Sequence, residues 1–254
     1  MNVLITAGAT AERIDSVRSI TNDATGRLGS LTAECFAKSG RAERIFYLCG
    51  KTARRPETAR AEITVIEDTA DMERAARALL GNTRIDAIVH SMAVSDYRVR
   101  SVVTPALLAD SLAAALASGG AGEIRERCGA ALEEAASVQR DKKISSAEKH
   151  LILILESTPK IISLFHELAP RALLVGFKLL DRVSREELFE AARGLLEKNH
   201  CAFVLANDAG DIHGDTHSAY LIDRNKKARR CGTKQEIAAA ITDRVIAAFY
   251  ENKE

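Results

Sequence analysis

A chain of 254 residues that is 46% hydrophobic and 28% charged can bury a full core, as one large α/β domain or one domain with an appendage. Its 36 Lys and Arg against 35 Asp and Glu leave a formal charge of +1, which gives no overall pull towards nucleic acid or an anionic membrane surface, so any basic site must be local. The amino terminus lacks a signal-peptide pattern and no apolar run approaches the roughly 20 residues of a spanning helix, while cysteines at 35, 49, 128, 201 and 231 form no C-x-x-C pair; the expected setting is a reducing cytoplasm.

In chain order, short runs rich in Val, Ile and Leu alternate with longer helical patterns. Val3 to Thr6 leads into Gly8 and a long polar loop, after which Leu28, Leu31, Cys35 and Phe36 recur at helical spacing and stop at Ser39-Gly40. Runs at Ile45 to Leu48, Ile63 to Ile66 and Ala87 to His90 follow, the last passing into Ser91-Met92-Ala93-Val94-Ser95-Asp96-Tyr97-Arg98. Pro105 to Ala136 is Ala-rich, broken at Ser118-Gly119-Gly120-Ala121-Gly122, and reads as a helical insertion. Beyond the polar stretch Arg140 to Ser146, a further run at Leu151 to Leu155 precedes Thr158-Pro159, a cap with proline at the first helical position. Leu173 to Phe177, Ala202 to Ala206 and Ala219 to Ile222 complete the apolar runs, and Ser184-x-x-Glu187 and Thr233-x-x-Glu236 read as capping boxes.

Continuous rather than alternating apolar runs suggest strands buried on both faces, as in a parallel sheet covered by helices. The predicted fold is therefore α/β: a Rossmann-like, open, mostly parallel sheet with helices on both faces, formed from repeated βαβ units, with a flap and a helical insertion. One domain over 1–254 is expected, with the insertion at about 104–140 and the flap at about 140–150.

The loop after the first strand does not fit a dinucleotide fingerprint, which needs G-x-G-x-x-G at that point. Only Gly8 is there, and the next glycines come in Asn22-Asp23-Ala24-Thr25-Gly26-Arg27-Leu28-Gly29. Two glycine turns would converge at the carboxyl end of the first strand, one of them opening a helix whose free N–H groups attract an anion. Polar residues at other strand ends, namely Asp96, Lys178 after Phe177, and Asn207-Asp208, fall where an open α/β sheet forms its ligand crevice. His213-Gly214-Asp215-Thr216-His217 reads as a plain loop rather than a metal site, and Asn225 to Arg230 as a solvated turn.

Taken in order, ITAGAT, VRSITN with ATGRLG, HSMAVSDY, KKISS, TPKIISL, GFKLL, and KN followed by LAND resemble phosphopantothenoylcysteine synthetases, also called phosphopantothenate–cysteine ligases, over nearly the whole chain. The forms SVRSITN, SMAVSDY and KISS look most like the stand-alone bacterial type of streptococci and enterococci. The resemblance implies a ligase joining 4'-phosphopantothenate and L-cysteine through an acyl-nucleotide. CTP is the expected co-substrate, with ATP the alternative, and Mg²⁺ accompanies the nucleotide. It also implies a homodimer and no nucleic-acid or membrane partner.

By match to the family motifs, Asn22 would hold the activated carbonyl and Arg18 would support it, Ala93 would bring backbone against the pantothenate moiety, and Gly8, Gly26, Gly29, Asp96, Phe177, Lys178 and Asn207 would lie around the nucleotide. Lys143 matches the lysine of a flap that closes over the nucleotide, whereas Lys142 has no clear counterpart. Ala9 stands in place of a usual glycine, and Lys178-Leu179 follows Phe177 where the family has two alanines and a glutamate. Competing readings are an NAD(P)-dependent reductase and a nucleotide-binding module without catalysis.

Overall fold

The computed structural model describes residues 1–117, 123–136, 149–214 and 216–251. The strands are β1 (Asn2–Ala7), β2 (Ala11–Arg13), β3 (Ser19–Thr21), β4 (Arg44–Gly50), β5 (Ala61–Ile66), β6 (Ala87–His90), β7 (Tyr97–Val103), β8 (Ile152–Ser157), β9 (Leu173–Leu180), β10 (Phe203–His213), β11 (Thr216–Asp223) and β12 (Ala228–Thr233). The helices are α1 (Arg27–Ser39), α2 (Thr69–Asn82), α3 (Pro105–Ala117), α4 (Ile124–Ala136), α5 (Ile161–Leu168), α6 (Arg185–Lys198) and α7 (Lys234–Glu251). They divide into two compact units, the first of residues 1–10, 22–94 and 160–254, the second of 11–21 and 95–159.

The first unit is the expected Rossmann-like α/β layer structure. Its eight-stranded sheet has the order β12-β11-β10-β9-β6-β1-β4-β5, parallel from β5 to β10 and antiparallel at β11 and β12. Taken alone, the parallel strands run 3-2-1-4-5-6 in chain order, so the switch point where ligands collect in such sheets lies between β1 and β6. Val3, Ile5 and Ala7 of β1 bury one way, with Ala33 and Phe36 of α1 and Ile237 and Ile241 of α7. Leu4 buries the other way, with Met72 of α2, Phe165 of α5 and Leu188 of α6. A strand apolar at every position is what two covered faces require. Edge strand β5 departs from this: Ile63 and Val65 are 41% and 44% exposed.

Local signals mark several helix ends. Gly40 closes α1 in the left-handed conformation, and Ser184 and Glu187 form the full capping box of α6. At α7 half of the box forms: Thr233 Oγ1 accepts from Glu236 N, while the Glu236 carboxylate accepts from Gly232 N. Thr158-Pro159 does not cap α5, which starts at Ile161 behind Lys160; the Thr158 hydroxyl instead donates to the Ser95 carbonyl. Residues 225–227 are a turn, but Ala228-Arg229-Arg230 continue as edge strand β12, whose charges suit an open sheet edge. The stretch 213–217, read as a plain loop, is instead the end of a β-hairpin: His213 closes β10 and pairs with Thr216, His217 of β11 pairs with Ile212, and Asp215 lies outside the described residues.

The second unit holds two antiparallel pairs, β2–β3 and β7–β8, together with α3 and α4. The run at Leu151 to Leu155 therefore lies in β8, paired antiparallel to β7 in its own two-stranded sheet, and not in the parallel sheet. An apolar run specifies a strand but not its partner. Two helices, α3 and α4, occupy the Ala-rich stretch; its break at 118–122 and residues 137–148, which take in most of the flap expected at about 140–150, lie outside the described residues. Arg100 of β7 pairs with Glu133 of α4 at 2.7 Å, and Ala131, Ala135 and Ala136 are the buried residues of that helix.

Candidate functional site

The first unit gathers three glycines at the carboxyl end of β1. Gly8 follows the strand with φ 78°, and Gly26 caps α1 with φ 72°. A Cβ on Gly8 would lie 2.5 Å from the Ala53 Cβ, and one on Gly26 would lie 2.9 Å from that same atom and 3.1 Å from Gly8 N. Ala53 is thus wedged under both turns, held there by hydrogen bonds from Ala53 N to Gly50 O and from Arg54 N to Thr25 O. Gly29, in the first turn of α1, lets the helix close on β1: its Cβ would meet the Ala7 Cβ at 2.6 Å and Ser91 Oγ at 2.9 Å. This is the close helix–strand approach that the third glycine of a dinucleotide fingerprint provides, reached from a different spacing. The N-cap Gly26 has no side chain to cap α1 and Arg27 N reaches Thr25 Oγ1 at a long 3.4 Å; the rest of the first turn presents backbone N–H groups beside Gly8, an arrangement suited to phosphate oxygens.

The exit of β6 is stitched onto this turn. Thr6 Oγ1 lies 2.7 Å from His90 Nδ1 and accepts from Met92 N at 3.3 Å, while the Thr6 carbonyl accepts from both Ser91 N and Ser91 Oγ. Ala93 N donates to Gly8 O at 2.8 Å, and the Ala93 carbonyl accepts from Thr10 N and from Asn22 Nδ2, both at 3.3 Å. Ala93 and Asn22 therefore meet, with the Asn22 amide beside the glycine turns. His90 is buried against the Phe165 ring, edge to face at 5.0 Å, and burial lowers its imidazole to about 4.

Phe177 and Asn207 are not the strand ends expected from the sequence, because β9 runs on to Leu180 and β10 to His213, but they lie on one face of the sheet. Leu205, opposite Phe177, buries with α1 and α7, and Asn207, only 5% exposed, follows it at period two. Lys178 alternates to the other face, so the cation added after Phe177 points away from the side that Phe177 and Asn207 share. Asp208 ties the two strand exits together: its carboxylate accepts from Val183 N at 2.9 Å and Gly210 N at 2.8 Å, and these bonds lower its pKa.

In the second unit, Arg18 is fixed by Asp15, whose Oδ2 accepts from Arg18 Nε at 3.0 Å and Nη2 at 2.6 Å while Oδ1 accepts from the backbone of Val17 and Arg18. Asp96 is exposed, and its carbonyl accepts from Thr158 N. Lys143 and Lys142 lie outside the described residues.

The sequence reading passed over Thr6, His90, Ala53 and Tyr47. Tyr47 is fully buried and its hydroxyl donates to the Arg54 carbonyl at 2.7 Å, supporting the Ala53 wedge from below; burial raises its phenol pKa. No local motif marks these residues, because each acts on a segment distant in sequence. A cavity of about 310 Å³, lined by Arg193, Leu196, Glu197, His200, Arg224 and Lys226, lies where α6 ends and β10 begins, away from the glycine turns.

Comparison with known proteins follows this geometry. Residues 1–108 and 130–249 match the family described as the DNA/pantothenate metabolism flavoprotein C-terminal domain. Among curated relatives, the coenzyme A biosynthesis bifunctional protein CoaBC of Thermococcus kodakarensis is 31% identical over 245 residues, 96% of this chain and 50% of the relative. CoaBC of Methanocaldococcus jannaschii is 27% identical over the same shares. The chain thus spans about half the length of the curated relatives it matches. Among solved structures, the DNA/pantothenate metabolism flavoprotein of Streptococcus pneumoniae superposes with a TM-score of 0.80 at 35% identity, covering 98% of this chain and 99% of that one. The C-terminal domain of a CoaBC protein superposes at 0.68 with 22% identity, covering 98% and 96%, and shares the fold.

Proposed function

The chain belongs to the family of the DNA/pantothenate metabolism flavoprotein C-terminal domain, and from that premise we propose that it joins 4'-phosphopantothenate to L-cysteine in coenzyme A biosynthesis. The observation that carries this reading is the convergence of Gly8, Gly26 and Gly29 at the carboxyl end of β1, with the Asn22 amide anchored on Ala93 beside them. Backbone amides of the two turns hold phosphate without adding side-chain charge. Asn22 offers a neutral donor to a carbonyl oxygen that gains negative charge during reaction.

The reaction proceeds in two displacements. The carboxylate of 4'-phosphopantothenate attacks the α-phosphate of the nucleoside triphosphate, forming a mixed anhydride and releasing pyrophosphate. The amine of cysteine then attacks the acyl carbonyl, the nucleoside monophosphate leaves, and the amine loses a proton. CTP is the nucleotide of this proposal. Mg²⁺ is the ion of this proposal, and would offset the charge of the nucleotide phosphates. Arg18, Asp96, Phe177 and Asn207 are proposed as further substrate contacts and Lys143 as the flap lysine; Lys178, on the other face of the sheet from Phe177, is left out of that set. The working form is a cytoplasmic homodimer.

Pyrophosphate release tests the proposal. Release is expected only with 4'-phosphopantothenate and CTP together, and phosphopantothenoylcysteine forms when cysteine is added. Equal turnover with ATP at matched concentration overturns the choice of CTP, and a fully active protein with the light-scattering mass of one chain overturns the dimer. Binding of reduced nicotinamide cofactor without pyrophosphate release instead marks a reductase.

A further inference from the structure

Thr6 and His90 face each other across the parallel pair β1–β6, 84 residues apart in sequence and in direct register. The Thr6 hydroxyl has one proton. Its oxygen could accept from both Met92 N and a His90 Nδ1–H, but that would leave the hydroxyl proton with no acceptor among the described residues; the arrangement that uses every group sends this proton to His90 Nδ1, which makes the imidazole the Nε2–H tautomer. A neutral imidazole is required for this, and His90 is 8% exposed among apolar neighbours that include Phe165. Thr6 thereby engages three consecutive residues at the exit of β6: His90 and Met92 through its hydroxyl, Ser91 through its carbonyl. The next residue is Ala93, whose carbonyl accepts from Asn22 Nδ2.

We propose that His90 is a positioning residue: by orienting the Thr6 hydroxyl it sets the place of Met92 and Ala93, and through the Ala93 carbonyl it aims the Asn22 amide. The proposal rests on the function given above only in assigning Asn22 to the reacting carbonyl. An apolar side chain at 90 leaves the hydroxyl proton without an acceptor, so Thr6 rotates away from Met92 and the β6 exit loosens over the glycine turn. A displacement of about 1 Å at an anchor costs up to about 10² in rate.

The experiment compares His90→Leu, His90→Asn and Asn22→Ala, with kcat and KM read from pyrophosphate release. His90→Leu is expected to lower kcat by about tenfold with KM for the nucleotide changed less than about twofold. His90→Asn, whose Oδ1 stands in for Nδ1 as acceptor, restores most of the loss. Because His90 acts through Asn22, the double variant His90→Leu/Asn22→Ala is no slower than Asn22→Ala alone, whereas independent effects add. Normal kcat in folded His90→Leu, or additive losses in the double variant, overturns the proposal. Where His90→Leu does not fold, Thr6→Val/His90→Leu, with both partners apolar, carries the same expectation. A second readout needs no activity: the Asn22 side-chain amide resonance, identified by its loss in Asn22→Ala, shifts in His90→Leu and returns in His90→Asn. An amide signal that stays in place in His90→Leu overturns the proposal. If the unaltered protein releases no pyrophosphate with any nucleotide, the functional reading fails while the amide shift still decides the role of His90.

Discussion

Gly29 of α1 lies so close to Ala7 of β1 that a Cβ added to it would stand 2.6 Å from the Ala7 Cβ. Neither neighbour can give way: Ala7 is buried in the sheet, and Ser91 Oγ, at 2.9 Å, is held by the Thr6 carbonyl. Gly29→Ala is expected to destabilise the protein by about 1–3 kcal/mol, the usual cost of overpacking, and to tilt the amino end of α1 away from the glycine turns. Urea denaturation measures the first effect and nucleotide affinity the second; unchanged values for both remove Gly29 from the site.

Gly8 makes a different demand. A side chain there meets Ala53 at 2.5 Å and must also accept φ 78°. Ala53→Gly relieves the first constraint but not the second. Gly8→Ala is therefore expected to lose stability that Gly8→Ala/Ala53→Gly recovers in part, with about 1–3 kcal/mol remaining for the backbone. Full recovery in the double variant would show that the contact alone matters.

Asn22→Ala breaks a 3.3 Å bond at an exposed position, so stability should fall by no more than about 1 kcal/mol. Turnover should fall by about 10² to 10³, as for loss of one oxyanion-type donor. Near-normal turnover in the folded variant places Asn22 outside the chemistry.

The segment carrying Lys143 lies outside the described residues, and its test is kinetic. Lys143→Gln should slow amide formation more than activation, so that pyrophosphate appears on a first turnover while phosphopantothenoylcysteine accumulates slowly. Lys142→Gln should behave normally. A defect in Lys142→Gln alone moves the register of the flap by one residue.

Two buried histidines link stability to pH. His90 and His217 are each lowered to about 4, chiefly by burial, whereas an unfolded histidine titrates near 6.5. Between those values the unfolded chain binds more protons, so stability is complete above pH 6.5 and falls as the pH drops towards 4. The urea midpoint should decline across that window, and His90→Asn should flatten the decline by removing one of the two groups. The same slope in the variant shows that other groups govern it.

What could be read from the chain depended on how far apart the interacting residues are. Gly40 and the Ser184 capping box act within one helical turn and formed as expected. The run Val3 to Thr6 became a strand inside the sheet because Val3, Leu4 and Ile5 are apolar towards both faces. The turns at Gly8 and Gly26 did converge, since the switch point of a βαβ sheet brings them there. By contrast, β7 pairs with β8 across the 48 residues between Val103 and Ile152, and nothing within either strand names its partner. The His90–Thr6 contact was illegible for the same reason: either residue alone is an ordinary strand end. Thr158 resembles a helix cap but bonds to Ser95, so the local pattern lost to a distant carbonyl.

The parallel pairing of β1 with β6 also has a consequence for folding. Ser91 and Ala93 reach the glycine turns only when two stretches more than eighty residues apart have come together. Loop closure of that length is paid before the contacts reward it, and such pairings form slowly. Nascent chain emerging up to α2 already contains Gly8, Asn22, Gly26, Gly29 and Ala53, yet it lacks the strand that pins them. During synthesis the Gly8 carbonyl and the Asn22 amide therefore gain their Ala93 partner only after β6 has emerged, and a fragment ending before Ala87 carries the residues that pack around Ala53 without that pin.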